Sequence, residues 1–327
     1  MDYQKINHKK VLVTGGAGFI GSNIVKALLN AGATVRVLDN LETGKIENIQ
    51  PFLNHPNFSF LEGDIRSVET CNQAVQGIDA ISHQAALGSV PRSIEFPLNT
   101  HATNATGFLN MLNAAKDAGI KRFVYASSSS VYGDSLISPK TIGSEGNLLS
   151  PYAVTKKLNE DYAAVYARLH EMETIGFRYF NVFGPNQDPN GVYAAAIPKF
   201  MDKMLKGEEI VINGDGNQTR DFTFVQNAVN ANLLGLSTSN QLAFGKQVNV
   251  ACGQYFSLNN VIESIKQRLV ALGKYNPATT IVHGPDRPGD IRDSLADITL
   301  TKEWLNYTDQ LLFDEGMDIY LNSMFAN

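Results

Sequence analysis

The chain has 327 residues, 43% hydrophobic and 18% charged, enough for one large or two fused domains with a substantial core. Its 27 basic and 32 acidic residues give a net charge of −5, so there is no basic footprint for sequence-independent binding of nucleic acid or an anionic membrane. No run of about 18 apolar residues offers a membrane span, and Met1–Lys5 has no apolar signal region. Cys71, Cys252 and the six histidines show neither disulfide nor metal-ligand spacing, so the composition predicts a cytoplasmic globular protein without a metal.

From Lys9 to Tyr179, short apolar runs alternate with longer amphipathic stretches. In chain order these predict a strand at Val11–Val13, a helix at Phe19–Asn30, strands at Val35–Leu38 and Phe58–Leu61, and a helix at Val68–Val75. A strand at Ala80–Ser82, a helix at Thr100–Ala118, a strand at Phe123–Tyr125, a helix at Tyr152–His170 and a strand at Ile175–Tyr179 follow. Several strands are apolar throughout, as expected when both sheet faces are covered. Gly32 and Gly119 supply helix stops. This alternation predicts an α/β fold with a Rossmann-type doubly wound parallel sheet. After Asn181 the rhythm breaks into a loop over 185–191, a helix at Ala194–Leu205 and a turn at Gly214–Gly216. Gln247–Val250 reads as a buried strand, Leu258–Leu272 as a helix, and the end of the chain as a loop followed by helices. We expect a dinucleotide-binding domain over 1–181, rejoined by the chain at about 225–252. A smaller α/β substrate domain over 182–327 would share its cleft.

Three glycines, Gly15, Gly18 and Gly21, lie at G-x-x-G-x-x-G spacing between the first strand and the first helix. Gly15 permits the tight turn, Gly18 lets a pyrophosphate approach the backbone, and Gly21 lets helix and strand pack closely. Asp39, with Asn40 behind it, ends the second strand 18 residues after Gly21. A carboxylate there accepts hydrogen bonds from a ribose diol and repels a 2′-phosphate, which favours NAD over NADP. Asp64, after the third strand, is placed where an acid can meet an adenine amino group.

Tyr152 and Lys156 are four apart and share one helical face. An ammonium beside a phenol stabilises phenolate, which predicts a lowered Tyr152 pKa and a base that works near neutral pH. The strand at Phe123–Tyr125 runs into Ser127, Ser128, Ser129 and Ser130, a hydroxyl cluster at the strand end where ligands bind in this architecture.

In these residues the chain resembles the extended short-chain dehydrogenase/reductase family. The motifs are T-G-G-A-G-F-I-G from Thr14, H-Q-A-A from His83, S-S-S-S-V-Y-G from Ser127 and Y-A-V-T-K from Tyr152, in their expected order. The likeness continues through Arg178–Gly184, Arg220–Phe222 and Arg287–Asp290. Within that family, Ala86–Ser93 and Asn186–Gly191 resemble bacterial UDP-N-acetylglucosamine 4-epimerases.

The resemblance implies that Tyr152 removes a proton from the sugar 4-hydroxyl while C4 is oxidised by NAD, that Lys156 tunes Tyr152 and holds the cofactor ribose, and that Ser128 hydrogen-bonds O4. The 4-keto sugar would then turn and be reduced from its other face. It further implies cofactor contacts at Phe19, Ile20, Gly44, Ile65, Gln84, Ala85, Asn104 and Tyr179. The sugar pocket would include Gly88, Ser89, Ser129, Ser130 and Gln187. Val211 and Asn213 would serve the nucleotide, Asn181, Arg220 and Arg287 its diphosphate, and Asp290 its ribose. Ser294 is small where relatives restricted to UDP-glucose carry a bulky aromatic, which leaves room for an acetamido group. A homodimer is implied, built on the helices around Phe108, Leu109, Met111, Leu112, Tyr162, Val165 and Tyr166.

Three other readings compete. A UDP-uronate 4-epimerase or decarboxylase would use Arg92 near a C6 carboxylate. A 4,6-dehydratase would need an acid pair where Ser129 and Ser130 stand. A non-catalytic NAD-binding sensor would have no use for Ser128, Tyr152 and Lys156.

Overall fold

The apolar runs of the first half pair edge to edge in the computed structural model, which describes residues 4–190, 195–285 and 292–325. In chain order the main elements begin with β1 (Lys10–Thr14), α1 (Phe19–Asn30), β2 (Thr34–Asp39), β3 (Phe58–Glu62), α2 (Val68–Ala74) and β4 (Ala80–His83). They continue with α3 (Val90–Glu95), α4 (Pro97–His101), α5 (Gly107–Asp117), β5 (Arg122–Ser128), α6 (Pro151–His170) and β6 (Glu173–Tyr179). Then come β7 (Val182–Phe183), α7 (Ala196–Lys206), β8 (Ile210–Asn213), β9 (Thr219–Arg220), β10 (Thr223–Phe224) and α8 (Val225–Ser237). The chain ends with β11 (Lys246–Val250), β12 (Phe256–Ser257), α9 (Leu258–Ala271), β13 (Ile281–Gly284), β14 (Asp293–Ser294), α10 (Thr299–Leu305) and α11 (Phe313–Phe325).

Seven parallel strands form one sheet in the order β3–β2–β1–β4–β5–β6–β11. The order reverses between β1 and β4, so the crevice beyond their carboxyl ends is where such a sheet binds ligands. The period-2 alternation of β1 distributes its side chains between two cores. Val11 and Val13 pack with Ile24, Leu28 and the α8 residues Val229 and Leu233, while Leu12 packs on the opposite face with Phe108, Met111 and Phe123. A separate core of Phe200, Met201, Ile212, Ile262 and Phe313 supports the smaller lobe. There β8 pairs with β13, and β9 lies between β12 and β14.

Several features depart from the sequence expectation. The α8 helix was not predicted: it is buried on nearly every side between α1 and the sheet, and its buried Asn227, Asn230 and Asn232 interrupt the apolar residues, so no apolar stripe against a polar face reveals its period. The helix expected at Thr100–Ala118 begins at Pro97 and contains a π-turn, Ala102–Thr106, between α4 and α5. Phe108, Met111 and Leu112, expected at a dimer seam, are instead core residues beneath the sheet. No described helix is long and apolar enough to cross a membrane.

Gly15 holds φ at +67°, and a Cβ at Gly21 would lie 2.1 Å from the Gly15 carbonyl oxygen. No L side chain fits that gap without displacing α1. Gly21→Ala should therefore cost roughly 1–3 kcal/mol, read as a lower urea midpoint at unchanged slope. An unchanged midpoint would show that the helix–strand contact is slack.

Candidate active site

A cleft of about 450 Å³ runs along the carboxyl ends of the central strands. Of the predicted cofactor residues, Gly15, Gly18, Phe19, Ile20, Asp39, Asn40, Asp64, Ile65, Gln84, Ala85, Tyr152, Lys156 and Tyr179 line it. Both oxygens of Asp39 are held at the end of β2, Oδ2 by the Ala17 N–H and Oδ1 by the Leu41 N–H, each at 2.9 Å. Burial raises the Asp39 carboxyl from its usual range, with these two bonds opposing it. Gly44 backs the same carboxylate, since a Cβ there would lie 2.8 Å from Oδ1. Asp64 accepts from Asn40 at 2.8 Å and from Arg66. Burial pushes the Asp64 carboxyl up, and the bonds from Arg66 and Asn40 outweigh it and hold it low.

Asn104 is placed differently. It is buried in the π-turn, where its Oδ1 accepts from the Leu87 N–H at 2.7 Å and its Nδ2 donates to the Leu87 carbonyl at 3.1 Å. It therefore fixes the loop that carries Gln84 to Ser89 rather than lining the cleft. Gln84 and Tyr179 belong to a network that sequence reasoning missed. Asn232 on α8 donates to the Tyr179 hydroxyl at 2.7 Å and accepts from Ser82 and from Gln84, both at 3.0 Å, while Tyr179 donates to Gln84 Oε1 at 3.1 Å. Asn232 is one of three buried asparagines on α8, and their spacing gives no sign of the partners each takes.

The reactive group forms where β5 ends and α6 begins. Ser150 caps α6 by accepting from the Ala153 N–H at 3.1 Å, and Pro151 opens the first turn, which also carries Tyr152. One turn later Lys156 lies with Nζ 5.8 Å from the Tyr152 ring centroid and donates to the Ala126 carbonyl at 2.8 Å. Ser128 accepts from the Ser130 N–H at 3.1 Å. Sequence reasoning expected Lys156 to lower the Tyr152 phenol, but burial dominates both groups. It raises Tyr152, against a hydrogen bond with Ser128 that lowers it, and brings Lys156 down to about 8, against the nearby Glu160 charge. Ser129 and Ser130 form a short 3-10 turn outside the cleft wall, where Ser130 Oγ is buried with no hydrogen-bond partner.

A second cavity, about 480 Å³, is lined by Val211, Asn213 and Arg220 and meets the cleft at Asn181 and Val182. Asn181 donates from Nδ2 to the Asp221 carbonyl at 3.1 Å. The Asp221 carboxylate accepts from the Cys252 and Gly253 N–H groups, each at 3.0 Å, and burial pushes it up to about 7. Gln187 and Gly88 line the cleft; Gln187 Oε1 is buried with no protein partner, and a Cβ at Gly88 would meet nothing within 4 Å. Ser89 caps α3 by accepting from the Arg92 N–H at 3.3 Å, in a strained backbone with φ +136°. Ser294 is in register with Arg220 on the neighbouring strand, outside both cavity walls. Arg287 and Asp290 lie outside the described residues.

The cleft fits a dinucleotide. A glycine turn with no room for side chains leads into the N-terminus of α1, Asp39 is an oriented diol acceptor, and Lys156 lies at the other end. Comparison with known proteins agrees. The NAD dependent epimerase/dehydratase family matches residues 11–251. A putative UDP-glucose 4-epimerase of Methanocaldococcus jannaschii is 35% identical over 97% of this chain and 99% of its own length. A UDP-N-acetyl-alpha-D-glucosaminuronate decarboxylase of Bacillus cytotoxicus is 30% identical over 94% and 95%. Among solved structures, the UDP-N-acetylglucosamine 4-epimerase of Methanobrevibacter ruminantium, in complex with UDP-N-acetylmuramic acid, matches at TM-score 0.89 and 35% identity, covering 98% of this chain and 99% of that one. The UDP-glucose 4-epimerase of Thermus thermophilus, in complex with NAD, matches at TM-score 0.84 and 32% identity, covering 96% and 98%. This chain is thus an NAD-using enzyme and belongs to the NAD dependent epimerase/dehydratase family.

Proposed function

We propose that the protein is a 4-epimerase interconverting UDP-N-acetylglucosamine and UDP-N-acetylgalactosamine. The observation that carries the reading is the Ser128–Tyr152–Lys156 group in a dinucleotide cleft that opens at Asn181 into a second cavity carrying Arg220. NAD, when bound, supplies a reversible two-electron acceptor for the sugar carbinol. The chain's own part is proton handling and grip. Tyr152 takes the proton of the 4-hydroxyl and later returns it, with Ser128 hydrogen-bonded to the same oxygen. Lys156 keeps a positive charge beside the phenolate and reaches the cofactor ribose. Asn213, Val211 and Arg220 suit a uridine diphosphate, the guanidinium offering forked donors to its oxygens. Gly88, in the cleft wall with open space where a Cβ would stand, leaves room for an acetamido group.

Proton NMR of the purified protein with UDP-N-acetylglucosamine and no added NAD should show UDP-N-acetylgalactosamine appearing. No conversion, even with NAD supplied, would overturn the reading. Uronates are the second reading, favoured by the decarboxylase relative and by Arg92 at the start of α3. Loss of the C6 carboxylate from a UDP-uronate would establish it. The protein is further proposed to be a homodimer through α4–α6, where Leu98, Val154, Val165 and Leu169 are exposed.

A further inference from the structure

Beneath the reactive group lies a cluster of charges that the proposed chemistry does not use. Glu160 is one helical turn beyond Lys156 on α6, and the two side chains grip adjacent residues of β5. Lys156 Nζ donates to the Ala126 carbonyl at 2.8 Å, and Glu160 Oε1 accepts from the Ser127 hydroxyl at 2.6 Å, immediately before Ser128. Arg178 on β6 donates to both Glu160 oxygens, Nε to Oε1 at 2.8 Å and Nη2 to Oε2 at 2.7 Å, and through Nη1 to Glu145. Its guanidinium also faces the Tyr132 ring, 4.8 Å from the centroid. Ser127, Lys156, Glu160 and Arg178 are at most 3% exposed. Tyr125 and Tyr132 have phenols raised by burial and are neutral, and on the β4 side burial, with the Lys156 charge, pushes the His83 imidazole down to about 3, so it too is neutral. Asp161, next along α6, is exposed and paired with Lys157.

The charges close only when Lys156 is included. Two carboxylates face one guanidinium, so the Glu145–Arg178–Glu160 triad alone carries one unmatched negative charge, with only its Glu145 end reaching solvent, and Lys156 matches it. Buried charges persist only when compensated. From this geometry we infer that the triad is a counter-ion for Lys156, a set of positioning residues that keeps the ammonium charged beside Tyr152. Within the triad, Glu160 is the member that holds the Ser127 hydroxyl and lies one helical turn from Lys156. The inference deepens the reading of Tyr152 and Lys156 as the proton-handling pair, and it rests on that reading.

The test needs no substrate. In protein labelled with carbon-13 at lysine Cε, the Lys156 signal is assigned by its loss in Lys156→Arg and then titrated by NMR. Glu160→Gln is expected to lower the Lys156 pKa by about one unit or more. Glu145→Gln, at the partly exposed end of the cluster, is expected to move it in the same direction and carries the test if Glu160→Gln does not fold. Ser127→Ala removes the hydrogen bond without removing charge and should leave the pKa in place. An unchanged Lys156 pKa in the Gln variants, or an equal fall in Ser127→Ala, overturns the inference. If the Lys156 pKa falls in the Gln variants and no nucleotide sugar is turned over by the parent, the counter-ion role stands and the substrate reading falls.

Discussion

Tyr152→Phe is expected to lower kcat by about 10²–10⁴-fold while bound NAD is retained. The change removes one oxygen from a side chain packed at the start of α6 and leaves the Ser150 cap, Lys156 and the glycine turn untouched. Without the phenol, the proposed mechanism leaves the sugar 4-hydroxyl only Ser128 as a hydrogen-bonding partner. A serine hydroxyl is a far weaker base than a phenolate, and no other cleft group lies on the same helical face one turn from Lys156. The measurement is the rate of epimer formation by NMR, alongside the NAD released on denaturing equal amounts of parent and variant. A fall in turnover with equal NAD content assigns proton transfer to Tyr152. Turnover within about threefold of the parent would remove Tyr152 from the base role, because the lost effect would then be smaller than general base catalysis supplies. The pH dependence should also invert the simple expectation from the sequence. Burial, the largest influence on both groups, raises the phenol above its ordinary value and lowers the ammonium to about 8, so the two move apart and the ammonium gives up its proton before the phenol does. Proton transfer between substrate and phenol is then governed by how the site compensates the buried Lys156 charge.

The sequence carried the cofactor half of the site clearly because its signals are local. Gly15, Gly18 and Gly21 are readable as a turn opening a helix, and Asp39 as the end of the next strand, since each depends on residues a few positions away. Tyr152 and Lys156 are readable because a helix turns every four residues or so. Asn104 shows the limit. Its type fits a cofactor contact, yet the π-turn aims it at the Leu87 backbone, and a π-turn leaves no pattern in one sequence. Asn232 was out of reach because it is one of three buried asparagines on α8 and its partners Tyr179 and Gln84 lie more than 50 positions away. Asp221, next to Arg220 in the chain, gives its carboxylate to the backbone N–H groups of Cys252 and Gly253, a contact across about 30 positions that leaves no local pattern. Glu160 lies four residues past Lys156, but nothing local marks it: its partner Arg178 comes from a strand, and the second partner of Arg178, Glu145, from a loop.

Arg178→Met is expected to destabilise the protein by about 3–5 kcal/mol, the usual cost of breaking a buried ion pair by removing one partner. Methionine fills much of the volume but supplies no donors, so Glu160 and Glu145 would face each other across an apolar gap. The pH dependence separates lost charge from lost packing. In the parent, burial raises the Glu145 carboxyl and the Arg178 bond outweighs it, holding it below its ordinary value. It therefore contributes stability above the ordinary carboxylate range, and that contribution fades as pH falls through its lowered pKa. In the variant a buried carboxylate without its guanidinium is raised instead, so its neutral form is favoured and stability is lost as pH rises through the raised value. The difference between the two proteins should be greatest near neutral pH and shrink toward acid. Urea denaturation at pH 7.5 and at a pH nearer the carboxylate range would measure it. Adding Glu160→Leu to Arg178→Met should recover part of the loss, because an apolar pair replaces an orphaned charge. A deficit that is the same at both pH values, or a double variant no more stable than the single, would mean that Arg178 acts through volume. The Glu145–Arg178–Glu160 cluster would then be packing, and Lys156 would have to find its counter-charge elsewhere.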